Sequence, residues 1–117
     1  HNAPFDRKFW DIELAQLHRK RTQEFACSML LARRVFPNAP NHRLGGLVET
    51  LQLPATGRYH RALADAEAAA HLLIHIQREL MRRYALPRVG HEMLMKIQQV
   101  ARAKLDDCMG RFQCSAE

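Results

Sequence analysis

Apolar residues recur at three- and four-residue spacing along most of this chain, a pattern typical of amphipathic helices, whereas strand-like alternation is rare. The spacing predicts a first helix over about residues 4–18, where Pro4 suits the first turn, and a central helix from about Ala62 to Tyr84. The predicted buried stripe of the central helix comprises Leu63, Ala66, Ala70, Leu73, Leu80 and Tyr84. The visible pattern is therefore nearly all helix.

Three shorter helices are predicted around these two. Ser28 is placed as the cap of a helix that runs to Phe36, after a stretch over residues 25–28 that is compatible with a short strand. A second amphipathic helix buries Leu44, Leu47, Val48 and Leu51. A last helix begins after Gly90, is predicted to stop at Gly110, and buries Leu94, Ile97, Ala101, Leu105 and Cys108.

Composition describes a basic globular chain. Its 117 residues and 13.5 kDa allow one domain or part of one. The net charge of +6 and the pI of about 9.8 favour polyanionic partners such as nucleic acid. Three cysteines without paired spacing favour a reducing cytoplasm. No apolar run approaches the roughly 20 residues that cross a bilayer, so no membrane partner is expected.

The candidate chemistry centres on His60 and Asp65, which stand where a loop gives way to the central helix. Aspartate oxygens suit Mg²⁺ or Mn²⁺, and a histidine can take a proton from a metal-bound water near neutral pH. Asp6 stands in the first turn of the first helix. From the residues alone, all three also have an ordinary structural explanation. An aspartate in the first turn of a helix interacts favourably with the helix dipole, and a histidine before a helix is often simply exposed to solvent.

The hexapeptide H-N-A-P-F-D at residues 1–6 resembles the second motif of the DEDDh 3′–5′ exonucleases, the family of the epsilon proofreading subunit of DNA polymerase III. Residues 60–66, H-R-A-L-A-D-A, resemble the family's third motif, H-x-A-x-x-D-A. Between them, residues 27–37 look like the segment that leads into a helix, and residues 42–47 look like the family's short L-x-x-L helix. The resemblance covers about residues 1–84, in the family's order.

The resemblance implies a ribonuclease H-like α/β fold, of which this chain would be a truncated and predominantly helical C-terminal portion. It implies that Asp65 ligates the tightly held metal ion, that Asp6 helps to bind the second, and that His60 is the general base that activates the attacking water. Asn2 and Phe5 would line the site near the terminal nucleotide. The implied cofactors are two Mg²⁺ or Mn²⁺ ions, and the implied substrate is a single-stranded DNA 3′ end.

The family's first motif, D-x-E, precedes the second motif and supplies two further carboxylates, and we expect it to lie outside these 117 residues. We therefore expect residues 1–86 to be the C-terminal portion of an exonuclease domain, residues 87–117 to be a helical extension, and the isolated chain to be nearly or wholly inactive. Uncovered apolar faces predict a homo-oligomer or pairing with the missing N-terminal part, and a polymerase partner fits the family. Two alternatives stay open: a 3′–5′ exoribonuclease of the same superfamily, and a non-catalytic basic helical module that binds nucleic acid or protein.

Overall fold

The computed structural model describes residues 1–16, 25–54 and 61–115, and this part of the chain is helical. Its elements are α1 (Ala3–Gln16), α2 (Ser28–Val35), α3 (Leu44–Thr50), α4 (Arg61–Tyr84), α5 (His91–Gln99) and α6 (Leu105–Ser115), with a 3₁₀ turn at Arg102–Lys104. The three described ranges contain no strand, and residues 25–27 have no regular secondary structure. The predicted predominance of helix is therefore confirmed for these ranges, while the predicted end of the first helix near residue 18 lies outside them.

The central helix α4 begins and ends within one residue of its predicted bounds and carries much of the core. Its buried side chains recur every four residues, as Ala68, Leu72, Ile76 and Leu80. Both α2 and α3 pack against α4, and α5 packs against α2. The three large side chains on α4 have no exposed surface, so burying each contributes about 2 kcal/mol.

The predicted buried stripe of α4 matches the buried face only at Leu80. The other predicted positions whose side chains the structure describes are exposed or half-buried: Ala66, Ala70, Leu73 and Tyr84. The side chain of Leu63 lies outside the described part. An alanine methyl buries little apolar area, so the bulkier Leu72 and Ile76 decide which face turns inward.

The single helix predicted after Gly90 is wrong, because the chain bends between α5 and α6. Val100 and Ala101 are extended, with ψ angles of 155° and 149°, and Arg34 on α2 donates from Nε to the Val100 carbonyl at 2.7 Å. Burial lowers the pKa of Arg34 below its ordinary value, and repulsion by the neighbouring Arg33 lowers it further. Gly110 lies inside α6. Four of the five predicted core positions are nevertheless buried: Leu94, Ile97, Leu105 and Cys108.

Two helices end on residues with left-handed backbone. Gln52 after α3 has a φ of 53°, and Ala85 after α4 has a φ of 52°. In each case the next residue donates its N–H to a carbonyl five positions back, Leu53 to Val48 at 2.9 Å and Leu86 to Met81 at 3.0 Å. This is the Schellman pattern, which usually places glycine at the left-handed position. Both ends are therefore strained relative to a glycine cap.

The first helix presents an apolar face to solvent. Phe5, Trp10 and Ile12 are 59%, 52% and 48% exposed, and among the α1 residues whose side chains the structure describes, Ala3 is the buried one. This agrees with the expectation that the first helix lacks a covering layer here. Oligomerisation or pairing through that face remains a prediction. Within the described ranges, no helix has the length and apolar character needed to cross a membrane.

Candidate functional site

The motif at residues 1–6 forms the entry to α1. The carbonyl of Asn2 accepts the N–H groups of Phe5 and Asp6 at 3.1 and 3.2 Å, which closes the first turn and places these three residues together. Asp6 lies in that turn, as predicted, and its side chain is 62% exposed.

The imidazole of His1 is fixed at both nitrogens. Nε2 lies 2.7 Å from the carbonyl of His42, and Nδ1 lies 2.8 Å from Oγ of Ser28. Because a carbonyl only accepts, Nε2 carries a proton, and in the neutral ring Nδ1 accepts from the Ser28 hydroxyl. The carbonyl of His1 accepts the N–H of Met29 at 3.2 Å. The motif is therefore attached to the start of α2 and to the loop before α3.

Cys27 and Gln98 add further hydrogen bonds that connect the motif to the rest of the fold. The Cys27 thiol accepts the N–H of Ala3 at 3.4 Å and donates to the carbonyl of His1 at 3.2 Å. The Cys27 N–H donates to Oε1 of Gln98 at 2.8 Å, and the Gln98 amide nitrogen donates to the carbonyl of Phe25 at 3.0 Å. A side chain of α5 thus binds the extended segment beside the motif.

These contacts correct one prediction and add residues that the sequence did not reveal. Cys27 holds the cap position of α2 without a side-chain capping bond, so Ser28 is not the cap. Its hydroxyl serves His1 instead. The roles of His1 and Gln98 had no signal in the sequence, because both depend on partners at least 27 positions away in the chain.

Two of the predicted site residues, Asp6 and Asp65, are candidate metal ligands that lie near the starts of their helices. Asp65 lies exposed near the start of α4, and Asp6 lies on α1. His60 falls outside the described residues, so its predicted role as base is not tested. Across the described ranges, no three His, Cys, Asp or Glu side chains are grouped so that they could hold a metal ion. Two exposed aspartates offer suitable oxygen donors, but on their own they do not fit a complete metal centre.

A cleft of about 440 Å³ opens beside Asn2, and we call it the Asn2 cleft. It is lined by His1, Asn2, Met29, Arg33, Asn41, His42, Arg43 and Leu44. Oδ1 of Asn41 accepts the N–H of Arg43 at 3.0 Å, and a Cβ added at Gly46 would overlap that oxygen. The backbone therefore lies close to the Asn41 side chain at Gly46, whereas a Cβ at Gly45 meets open space.

Comparison with known proteins identifies the class of this chain. The family model RNase_T, described as Exonuclease, matches residues 1–73, and the chain belongs to this exonuclease family. The resemblance to the DEDDh 3′–5′ exonucleases is thereby confirmed. The family suggests a ribonuclease H-like fold, but its sheet is absent from the described ranges, so the α/β class is supported only through the family.

Curated relatives place this region within larger proteins. The chain is similar to the PolC-type DNA polymerase III of Bacillus cereus, with 33% identity over 82 residues, which is 69% of this chain and 6% of that protein. The corresponding protein of Oceanobacillus iheyensis is 34% identical over 82 residues, with the same shares. That of Bacillus subtilis is 32% identical over 81 residues, 68% of this chain and 6% of the protein. The chain thus spans about 6% of these relatives, and no solved structure matches it.

Proposed function

We propose that this chain carries the second and third motifs of a metal-dependent 3′–5′ exonuclease that hydrolyses phosphodiester bonds at DNA 3′ ends. The observation that carries the proposal is the match to the exonuclease family over residues 1–73, which includes both motifs. The relatives are named as polymerases, which favours DNA as substrate and a proofreading setting with a polymerase partner in the cytoplasm. The boundary between the exonuclease portion, residues 1–86, and the helical extension, residues 87–117, is also part of this proposal.

The proposed roles follow the motifs. Asp6 and Asp65 are metal ligands for Mg²⁺ or Mn²⁺, and His60 is the general base that takes a proton from the attacking water. Asn2 and Phe5 contact the terminal nucleotide. The closed first turn of α1 supports this grouping, because it sets Asn2, Phe5 and Asp6 side by side. Since the described residues do not complete a metal site, we assign these roles to the whole protein and expect little activity from the 117 residues alone.

Digestion of 3′-labelled single-stranded DNA with Mn²⁺ tests the roles. In the whole protein, His60→Ala and Asp65→Ala are each expected to lower the rate by about 10²–10⁴-fold. Asp107→Asn on α6 is the matched control, since it removes an exposed carboxylate far from the motifs in sequence. Activity that survives both motif substitutions would contradict the catalytic roles and favour the non-catalytic binding module.

Two further arms of the same assay separate the alternatives. An RNA strand of the same sequence decides between the deoxyribonuclease and the exoribonuclease, because faster digestion of RNA would contradict the proposed DNA preference. The isolated 117 residues form the second arm. Robust digestion by this chain alone would overturn the assignment of further metal ligands to the rest of the protein.

Association through α1 is the remaining part of the proposal. The exposed side chains of Trp10 and Ile12 support a homo-oligomer or pairing with a further part of the protein, because exposed apolar area favours association. Light scattering on the isolated chain tests this. A monomeric mass at all concentrations would contradict self-association.

A further inference from the structure

The Asn2 cleft carries two guanidinium groups and no carboxylate among its lining residues. Arg33 projects from α2 and Arg43 precedes α3, and both are exposed. Neither guanidinium makes a hydrogen bond or ion pair with the part of the chain that the structure describes. Two uncompensated cations at one concave surface raise the local concentration of anions.

Other arginines nearby are used differently. Arg34 donates from Nε to the Val100 carbonyl at 2.7 Å, and Arg82 and Arg83 pair with Glu79 at 2.6 and 3.1 Å. These three therefore serve the fold. Arg33 differs from Arg34 beside it, because its guanidinium has no partner in the part of the chain that the structure describes.

The wall of the cleft is fixed before any ligand arrives. The carbonyl of His42 is occupied by Nε2 of His1, and Nε2 of His42 occupies the carbonyl of Phe36 at 2.8 Å. Asn41 in turn holds the Arg43 backbone N–H at 3.0 Å. The His42 carbonyl and Oδ1 of Asn41 thus already accept hydrogen bonds within the chain, while the two guanidinium groups have no partner among the described residues. Such a surface suits an anion with several acceptor oxygens.

We propose that the Asn2 cleft binds backbone phosphates of single-stranded DNA, through Arg33 and Arg43. The volume of about 440 Å³ lies within the usual range of small-ligand sites and accommodates a phosphate with its sugar. The inference rests on the proposed function, which places Asn2 at the terminal nucleotide. The cleft then holds the strand on the 5′ side of that nucleotide and orients it toward the motif residues.

Fluorescence anisotropy with a labelled single-stranded oligonucleotide, in EDTA and without divalent ions, tests binding apart from cleavage. Arg33→Gln and Arg43→Gln are each expected to weaken binding about tenfold, because each removes a charged hydrogen-bond donor. Each should also reduce the slope of log affinity against log salt by about 0.7. Arg88→Gln and Arg102→Gln are the controls, since they remove the same charge from exposed positions outside the cleft.

The variants also control for folding and for simple charge. Arg43→Lys is expected to recover part of the affinity, because it restores the charge without the guanidinium fork. Circular dichroism and urea midpoints equal to those of the unmodified chain show that the exposed substitutions leave the fold intact. Equal losses in the cleft and control variants would overturn the proposal by showing that only net charge matters.

The outcome is separable from that of the proposed function. If the whole protein digests DNA while the cleft variants bind as the controls do, the cleft proposal fails and the exonuclease assignment stands. If the cleft variants lose binding selectively while the whole protein fails to digest DNA, the phosphate site stands and the exonuclease assignment fails.

Discussion

Replacing Gln98 with alanine tests how firmly α5 holds the segment beside the motif. Its carboxamide bonds the N–H of Cys27 at 2.8 Å and the carbonyl of Phe25 at 3.0 Å. Cys27 is 1% exposed, so its N–H has little access to water once the acceptor is gone. An unsatisfied buried donor costs about 1–3 kcal/mol, and the second bond contributes about 1 kcal/mol. Alanine regains a few tenths of a kcal/mol in helix propensity. We expect the free energy of unfolding to fall by about 2 kcal/mol.

Urea denaturation followed by circular dichroism measures this change. Gln99→Ala is the matched control, because Gln99 is the next residue of the same helix and is exposed. Hydrogen exchange at the Cys27 amide supplies a local readout and should accelerate only in the Gln98 variant. Gln98→Glu separates the two bonds, since a carboxylate still accepts from Cys27 but cannot donate to the Phe25 carbonyl. A loss below about 0.5 kcal/mol, no larger than that of the control, would refute the reasoning.

Three other substitutions probe the helices. Ala85→Gly is expected to raise stability by about 1 kcal/mol, because glycine enters the left-handed region without steric cost; a thermal melt that shows no gain counts against this. Gly45→Ala should stabilise α3 by up to about 1 kcal/mol, because alanine favours a helix more than glycine does. Gly46→Ala should give a smaller gain in stability because its Cβ overlaps the Asn41 side chain; equal melting temperatures for the two variants would contradict that packing. A hydrogen bond from Arg82 lowers the pKa of Glu79 below its ordinary value of 4.5. The ionised carboxylate therefore stabilises the fold above that pH, and this stabilisation is lost in acid. A difference in unfolding free energy between wild type and Glu79→Gln that does not change with pH would contradict this.

Local sequence pattern predicted where helices lie better than which side of them is buried. The bounds of α4 followed from its apolar period and from the break near Pro87. Its buried face did not, because the alanines of the first half carry too little apolar area to decide an orientation. The bend at Val100 also had no local signal. It contains neither glycine nor proline and depends on Arg34, which is 66 positions distant in the chain.

The candidate site was likewise predicted only in part from the sequence. The resemblance to the family's second and third motifs selected Asp6 and Asp65 as candidate metal ligands, and their roles stay a prediction. The contacts that hold the motif could not be found by spacing. His1 and Gln98 gain their roles only when the chain folds and brings residues 27 to 71 positions apart into hydrogen-bonding distance. Arg33 likewise looked like one cation among many until the fold placed it in the lining of the same cleft as Arg43.

The exposed face of α1 gives the protein an optical reporter of its own. Trp10 is the single tryptophan of the chain and is 52% exposed. An indole in water emits at longer wavelength than one in an apolar contact, and it is reached readily by a soluble quencher. If a second copy or a further part of the protein covers this helix, as we propose, the emission is expected to shift to shorter wavelength and to be shielded from quenching. Assembly on α1 can thus be followed in solution without attaching a label.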